Sequence, residues 1–438
     1  MTADPAPVPS SQGLEDRIVQ RTIVWTYGFY AFGALYVVGP VLGWLLFGLF
    51  LARLYLTHDP VPKARMAALP IAVWLWVIGM ITMEVALIGG HLSFDLGMGK
   101  LIKSSIGWAK GWALIAIFIL VGVVSDIRPS TIHRAMCVVG LHTLLLTPVL
   151  VAAWVVRLPE VLYVSPLKAV GGPGPEFFAV QLYLIDPSNG SPRWQFFTPW
   201  APAAGFMSSI MLVCALAEKT PSWKAAGLAG AVIIAVLSKS RMALLALMLI
   251  PLATWGLSRL LNPAILALGA LASTLGGLIA TTLLIIAEDA VNEFRGARAD
   301  STRVREALAR IAWQRWRSEA PIWGHGVVER GPHLVEYMPI GSHHSWYGLL
   351  FVKGIVGFLA LLIPLVWTLG HLIVVAQRTP EARPGLSVAL MMVFYSFGEN
   401  LEILAYLIWP GLILVGAGLR PARRWRSARV PGVQAEHA

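Results

Sequence analysis

Long apolar runs alternate with short polar breaks along the chain, and the runs have the length that a bilayer imposes. About 20 consecutive apolar residues suffice for a helix to cross the hydrocarbon core. On that measure the pattern predicts about twelve spans: 22–38, 40–56, 67–89, 106–124, 132–155, 203–217, 223–237, 240–257, 262–287, 346–375, 384–398 and 401–418. Gly39-Pro40 separates the first two. The stretch 203–257 is crowded, with tilted or re-entrant helices as the alternative there. The expected fold is all-α and polytopic: a cytoplasmic tail over 1–21, a single membrane domain over 22–418 and a basic tail over 419–438. Two loops are long, 156–202 and 288–345, and no internal repeat is apparent.

Composition removes the other classes. Of 438 residues, 57% are hydrophobic and 13% charged, about half the usual globular share. A soluble chain of this size needs far more polar surface, which excludes ordinary soluble domains, a disordered chain and a coiled coil. The formal charge of +11 is accounted for by basic cytoplasmic loops facing anionic lipid. Without zinc-finger spacing or a compact basic domain, no nucleic-acid partner is expected. Cys137 and Cys214 lie in apolar stretches and read as small core residues. The N-terminal Met1 to Gln20 is acidic and polar rather than basic, so the first apolar run reads as a retained helix, not a cleaved signal.

Lys and Arg set the orientation. With both termini cytoplasmic, Lys63, Arg65, Arg128, Arg134, Lys219, Lys224, Arg259, Arg378, Arg383 and the C-terminal arginines all fall inside. Both long loops then face the periplasm. The second loop departs from the rule, with Arg295, Arg298, Arg303, Arg305, Arg310, Arg315, Arg317 and Arg330. An anionic ligand accounts for arginines there.

Polar clusters gather on the same outer side. In Ser238-Lys239-Ser240-Arg241 two cations sit beside the membrane, which is costly unless they are hydrated, paired or holding an anion. They read either as snorkelling side chains or as a phosphate clamp, with the planar fork of Arg241 and the point charge of Lys239. Ser301 to Glu319 reads as an amphipathic surface helix with Val304, Leu308 and Ile311 on one stripe. A structural role for it and a binding role are both open; Arg303 and Arg305, near its start, are the better ligand candidates. Beyond it lie Pro321-Ile322-Trp323-Gly324-His325-Gly326 and then Gly341-Ser342-His343-His344-Ser345-Trp346-Tyr347. The paired histidines are interface residues or chemistry: a neutral imidazole accepts a proton near neutral pH. No metal is expected, because no neighbouring acid or cysteine completes a ligand set. Glu399-Asn400 and Glu402 either balance the arginines and orient a histidine or are ordinary loop residues. Glu84, inside an apolar run, must face protein or water. Trp194 and Trp200 in the first long loop suit either a sugar or the membrane interface.

Two of these stretches resemble the O-antigen ligase and O-antigen polymerase family of bacterial envelope enzymes. His343-His344-Ser345-Trp346-Tyr347, continuing through Leu349 and Leu350 to Gly354-Ile355-Val356-Gly357-Phe358, is similar to the family's His-Asn, aromatic, apolar run and glycines three apart. His343 matches the family histidine, and His344 replaces the usual Asn. Ser240-Arg241 followed by Met242-Ala243-Leu244-Leu245 resembles the Ser-Arg motif at a helix start, and the run from Ser301 to Gly326 resembles the large periplasmic loop. The likeness covers roughly 236–360.

The resemblance implies a GT-C-like glycosyltransferase of the bacterial inner membrane that works at the periplasmic face without metal or cofactor. Its donor is a glycan on undecaprenyl pyrophosphate. The acceptor is another lipid-linked repeat in the polymerases, lipid A core in the ligases and a protein in a third branch. Polymerisation of exopolysaccharide or O-antigen repeats is the first expectation, with membrane lipids, a chain-length regulator and a flippase as partners. His343 as base and Arg241 as pyrophosphate ligand form the expected catalytic pair. Lys239, Arg303, Arg305, His344, Trp346, His325 and Glu399 are the expected substrate-binding residues. A single-step attack predicts inversion at the anomeric carbon. The reading from a different class is a transporter or lipid-linked glycan flippase, against which stands the lack of two related halves.

Overall fold

The computed structural model describes residues 13–56, 60–186, 190–282, 284–286, 288–289, 299–341 and 344–421. Before the first long loop come α1 (Leu14–Val24), α2 (Thr26–Ala31), α3 (Leu35–Leu56), α4 (Pro60–Ala67), α5 (Ile71–Ser93), α6 (Met98–Lys110), α7 (Trp112–Val124) and α8 (Pro129–Val155). After it come α9 (Ala201–Ala217), α10 (Pro221–Leu237), α11 (Arg241–Leu257), α12 (Pro263–Leu278) and α13 (Ala280–Ile286). The second loop contains α14 (Ala299–Glu319), and α15 (Ser345–Ala376), α16 (Arg383–Ser396) and α17 (Leu401–Gly418) complete the bundle.

The molecule is a multi-pass α-helical membrane protein, but the expectation of about twelve spans is corrected. Among the described residues six helices are long and apolar enough to cross a membrane: Leu35–Leu56, Ile71–Ser93, Met98–Val124, Pro129–Val155, Ser345–Ala376 and Leu401–Gly418. A seventh is added if α12 and α13, bent by 79°, count as one. Hydropathy overcounts because it registers apolar runs and not helix length. The run 22–38 is divided among three helices, with Gly33 at φ 62 between α2 and α3. Helices α9, α10 and α11 have 17 residues each, about 25 Å at 1.5 Å per residue against a core of about 30 Å. In place of the run 384–398 stands α16, with 14 residues.

Helices without a hydrophobic drive between them associate through close packing at small residues, and the main pairs here follow that rule. A Cβ on Gly79 of α5 would run into the Ala360 carbonyl of α15; one on Gly416 of α17 would meet the Ile119 carbonyl of α7. Gly140 of α8 and Gly230 of α10 face each other in the same way. Glu84 is half-buried, and the buried Lys353 of α15 lies within electrostatic reach of it and of Glu402.

The two ends of the bundle differ. One end is tied by arginines: Arg65 to Asp126 at 2.5 Å, Arg128 to Asp16 at 3.0 Å and Arg134 to Glu218 at 2.8 Å. Arg420 belongs to that end, donating to the carbonyls of Gly122, Ser125 and Ile127, where the C-terminal carbonyls of α7 lack helical partners. At the other end lie both long loops. The first pairs β1 (Val161–Val164) with β2 (Ala179–Gln181) and β3 (Leu184–Ile185) with β4 (Pro192–Arg193). The second pairs β5 (Glu329–Arg330) with β6 (Pro339–Ile340), and α14 packs Val304, Leu308 and Ala312 onto Val335, Ile340 and Phe351.

One feature of α15 holds the second loop in place. The helix is broken at Gly354 (φ 62, ψ −163). Breaking it frees the carbonyls of Phe351 and Val352 and the amides beyond. Segment 321–326 pairs with them: His325 N donates to Phe351 O at 2.8 Å, Gly326 N to Val352 O at 2.9 Å, and Ile355 N to Pro321 O at 3.0 Å. A Cβ on Gly354 would collide with the Ile322 carbonyl, and one on Gly324 with the Lys353 amide. The two glycine clusters noted in the sequence are therefore the two halves of one backbone clasp, and irregular backbone is tolerated there because protein covers it.

Candidate functional site

The start of α11, one face of α14, the start of α15 and the end of α16 enclose a cavity of about 1320 Å³. Lys239, Ser240 and Arg241 reach it from α11 and the residues just before it. Arg305, Glu306, Ala309, Arg310 and Trp313 line it from α14, and His344 and Tyr347 from α15. Arg193 of the first loop closes it on another side. Five of its lining side chains are cations and one, Glu306, is a carboxylate. The remainder of the wall is apolar: Met242 and Ile250 on α11, Leu390, Val393 and Phe394 on α16. Ile250 stands nine residues past Arg241, about 13 Å along the helix axis, so the cavity continues from its charged mouth into the apolar zone.

Each element places its cations by local chemistry. Ser240 is the N-cap of α11, its Oγ accepting from Ala243 N at 3.3 Å, which sets Arg241 on the first helical residue, where the helix dipole adds to its positive field. Lys239 takes φ 52 and donates to Ser191 Oγ at 2.6 Å, tying this turn to the first loop. Arg193 is ion-paired with the buried Asp186 at 3.5 Å. Arg305 donates to the Gly398 carbonyl at 3.4 Å and lies 4.0 Å from the Glu399 carboxylate.

Glu399 is buried behind this mouth. It accepts from Trp200 Nε1 at 2.9 Å, and its backbone carbonyl accepts from Ser345 Oγ and N. Burial pushes its carboxyl up to about 7, against the opposing pull of Arg305 and the Trp200 bond. Glu399 thus anchors the start of α15 and balances Arg305 in proportion to its ionisation.

His344 is the N-cap of α15. Its Nδ1 accepts from the amides of Trp346 at 3.1 Å and Tyr347 at 3.4 Å. That is the work an Asn side chain does at the same position, which explains why His can stand where the resembled motif has Asn. Burial, with Arg305 nearby, lowers its pKa to about 4, so the ring is neutral. With Nδ1 accepting, the proton resides on Nε2. His344, which lines the cavity, thus carries a donor N–H and has no lone pair free to take a proton.

The other expected residues are dispersed. His343 lies outside the described residues. Arg303 is exposed on α14 and does not line the cavity. Trp346 is buried, with Nε1 donating to Ser396 Oγ at 2.9 Å. His325 is buried between Phe94 and Phe351, Nε2 at 2.8 Å from Glu319 and Nδ1 at 3.0 Å from the Phe351 carbonyl. It braces the clasp rather than the cavity. Burial apart, Glu319 is held down to about 2 by Arg315 first and His325 second. Arg193, Arg310 and Trp313 are cavity residues beyond the expected binding set, Arg310 having been noted only as one of the loop's arginines. For Trp313 the signal was present: 305, 309 and 313 recur at four-residue steps and share a face.

Lys239, Arg241, Arg305 and His344 thus share one cavity and one stretch of chain. Residues 226–362 match the O-antigen ligase family. The match takes in α11 to α14 and the broken first half of α15, hence all four residues and the clasp. The O-antigen ligase segment covers just under a third of the chain, and the apolar wall on α16 lies outside it. No curated protein matches the chain. The match of this segment to the O-antigen ligase family supports an enzymatic role in general.

Proposed function

We propose that the protein transfers a glycan from a polyprenyl-pyrophosphate carrier, undecaprenyl pyrophosphate in a bacterial inner membrane, onto an acceptor hydroxyl. The observation that carries the reading is the amphipathic cavity: cations at its mouth, an apolar wall running inward. Such a cavity suits a ligand with an anionic head and an isoprenoid tail. Arg241, Arg305 and Lys239 hold the pyrophosphate, and Ile250, Leu390, Val393 and Phe394 border the tail. The arginine-tied end of the bundle is assigned to the cytoplasm, which puts the cavity on the periplasmic side.

In the transfer, the acceptor oxygen attacks the anomeric carbon and forms the new glycosidic bond. The bond from that carbon to the pyrophosphate oxygen breaks, and its electron pair leaves with the pyrophosphate. His343 receives the hydroxyl proton. Negative charge grows on the leaving group, so fixed cations stabilise the transition state beyond the ground state, and His344 Nε2–H adds a donor. One displacement gives inversion. Polymerisation of O-antigen or exopolysaccharide repeats and ligation to lipid A core share this chemistry and differ in the acceptor.

The test is purified protein in liposomes with a polyprenyl-pyrophosphate-linked repeat. A ladder of longer lipid-linked glycans supports polymerisation, and a single shift of added lipid A core supports ligation. Movement of the lipid across the bilayer with no new glycosidic bond overturns the proposal in favour of a flippase.

A further inference from the structure

The proposed function explains the cations and the apolar wall but gives no role to the large aromatic side chain on α14. Trp313 lines the cavity on α14, three residues past Arg310, and keeps 43% of its surface exposed. Its position is fixed on two sides. The Trp316 ring packs against it with centroids 4.9 Å apart, and Trp316 is itself pinned by donation from Nε1 to the Pro321 carbonyl at 2.9 Å. Tyr347 meets it edge-on at 6.5 Å and 89°. No described residue accepts a hydrogen bond from Trp313 Nε1. A large flat ring held by Trp316 and Tyr347, partly exposed and lining a charged cavity, is a preorganised platform.

We propose that Trp313 is the glycan subsite of this cavity, stacking on the pyranose ring carried by the pyrophosphate. The physical basis is the aromatic quadrupole. The indole face is negative, and the ring C–H hydrogens on one face of a pyranose carry partial positive charge, so the two attract and exclude water. The Nε1–H, without an acceptor among the described residues, supplies a donor for a sugar oxygen. Placement agrees: Trp313 stands eight residues past Arg305, two turns or about 12 Å along α14, and on a different element from the apolar wall. With the pyrophosphate between Arg241 and Arg305 and the tail along α11 and α16, the proposal assigns the sugar end to the indole on α14. This inference rests on the donor assignment above.

The experiment compares two probes on the purified full-length protein: undecaprenyl pyrophosphate, and the same lipid bearing N-acetylglucosamine. Wild type is expected to bind the sugar-bearing lipid more tightly. Trp313→Ala is expected to weaken that binding about three- to tenfold and to leave the bare lipid unchanged, while Trp313→Phe keeps most of the affinity. Arg241→Ala weakens both lipids. Equal loss on both probes in Trp313→Ala makes the residue a structural or membrane-interface anchor and overturns the proposal. So does equal affinity of wild type for the two lipids. Failure of wild type to bind even the bare lipid overturns the donor assignment first and this subsite with it.

Discussion

His344 Nδ1 accepts the Trp346 amide at 3.1 Å, with the Tyr347 amide beside it at 3.4 Å, and this cap decides what the second of the paired histidines can do. It caps α15 and leaves the proton on Nε2 of a ring that lines the cavity. His344→Asn retains both a capping acceptor and an N–H donor, so the expected outcome is near-native melting and substantial transfer activity. His344→Ala loses the cap, about 1 kcal/mol, and slows transfer. Equal inactivation by both substitutions would show that the imidazole itself does chemistry. Acid opposes the cap: with its pKa lowered from 6.5 to about 4, the folded state binds fewer protons than the unfolded one. The stability that depends on this group is complete above pH 6.5 and falls as pH drops toward 4.

Arg241 and His343 are expected to separate in kinetics. Arg241→Ala should slow transfer at least about tenfold, since a buried charge-assisted contact is worth about 1.5–3 kcal/mol. Arg241→Lys restores the charge but not the bidentate fork and should recover only part. His343→Ala should abolish turnover while lipid-linked donor still binds. Normal transfer by that variant removes His343 as the base, and unchanged kinetics in Arg241→Ala removes the clamp.

What could be read from the sequence was what is local. The Ser240-Arg241 helix start, the amphipathic α14 with Val304 and Leu308 inward, and the family likeness all rest on neighbouring residues. The span count was not local in that sense, because an apolar run of 17 residues and one of 23 look alike until helix ends are known. Nor was the break in α15: Gly354 was legible as a motif glycine, but only Ile322 pressing on it from the loop reveals the clasp. His325 and Trp346 were placed near the substrate by their motifs, whereas their hydrogen bonds to Glu319 and Ser396 turn them into the protein.

Gly354 supplies a direct test of the clasp. A residue with φ 62 and ψ −163 occupies a region essentially restricted to glycine, at a cost of about 1–3 kcal/mol for other residues. Gly354→Ala adds a collision with the Ile322 carbonyl. The variant is expected to melt well below wild type in detergent and to become sensitive to protease near residues 317–326. Gly370→Ala, in open space on the same helix, is the control and should leave both unchanged. Parallel behaviour of the two variants would mean that the loop is held by α14 alone.

Glu399 connects the cavity to pH. Its carboxyl is raised from 4.5 to about 7 by burial, so the folded state retains a proton that the unfolded state has lost. Stability is therefore expected to fall as pH rises from 4.5 to 7. Function follows the same titration. Below pH 7 the acid is neutral and the whole charge of Arg305, 4.0 Å away, is available to a pyrophosphate. Above it, the carboxylate competes for that charge. The KM for lipid-linked donor is expected to rise about two- to fivefold between pH 6 and pH 8, the worth of a half-exposed ion pair at roughly 0.5–1 kcal/mol. Glu399→Gln keeps an acceptor for Trp200 Nε1 and removes the titration, so its KM should stay flat while kcat keeps the limb set by the base. A KM that still rises through neutrality in Glu399→Gln would assign the effect to another group and detach Glu399 from donor binding.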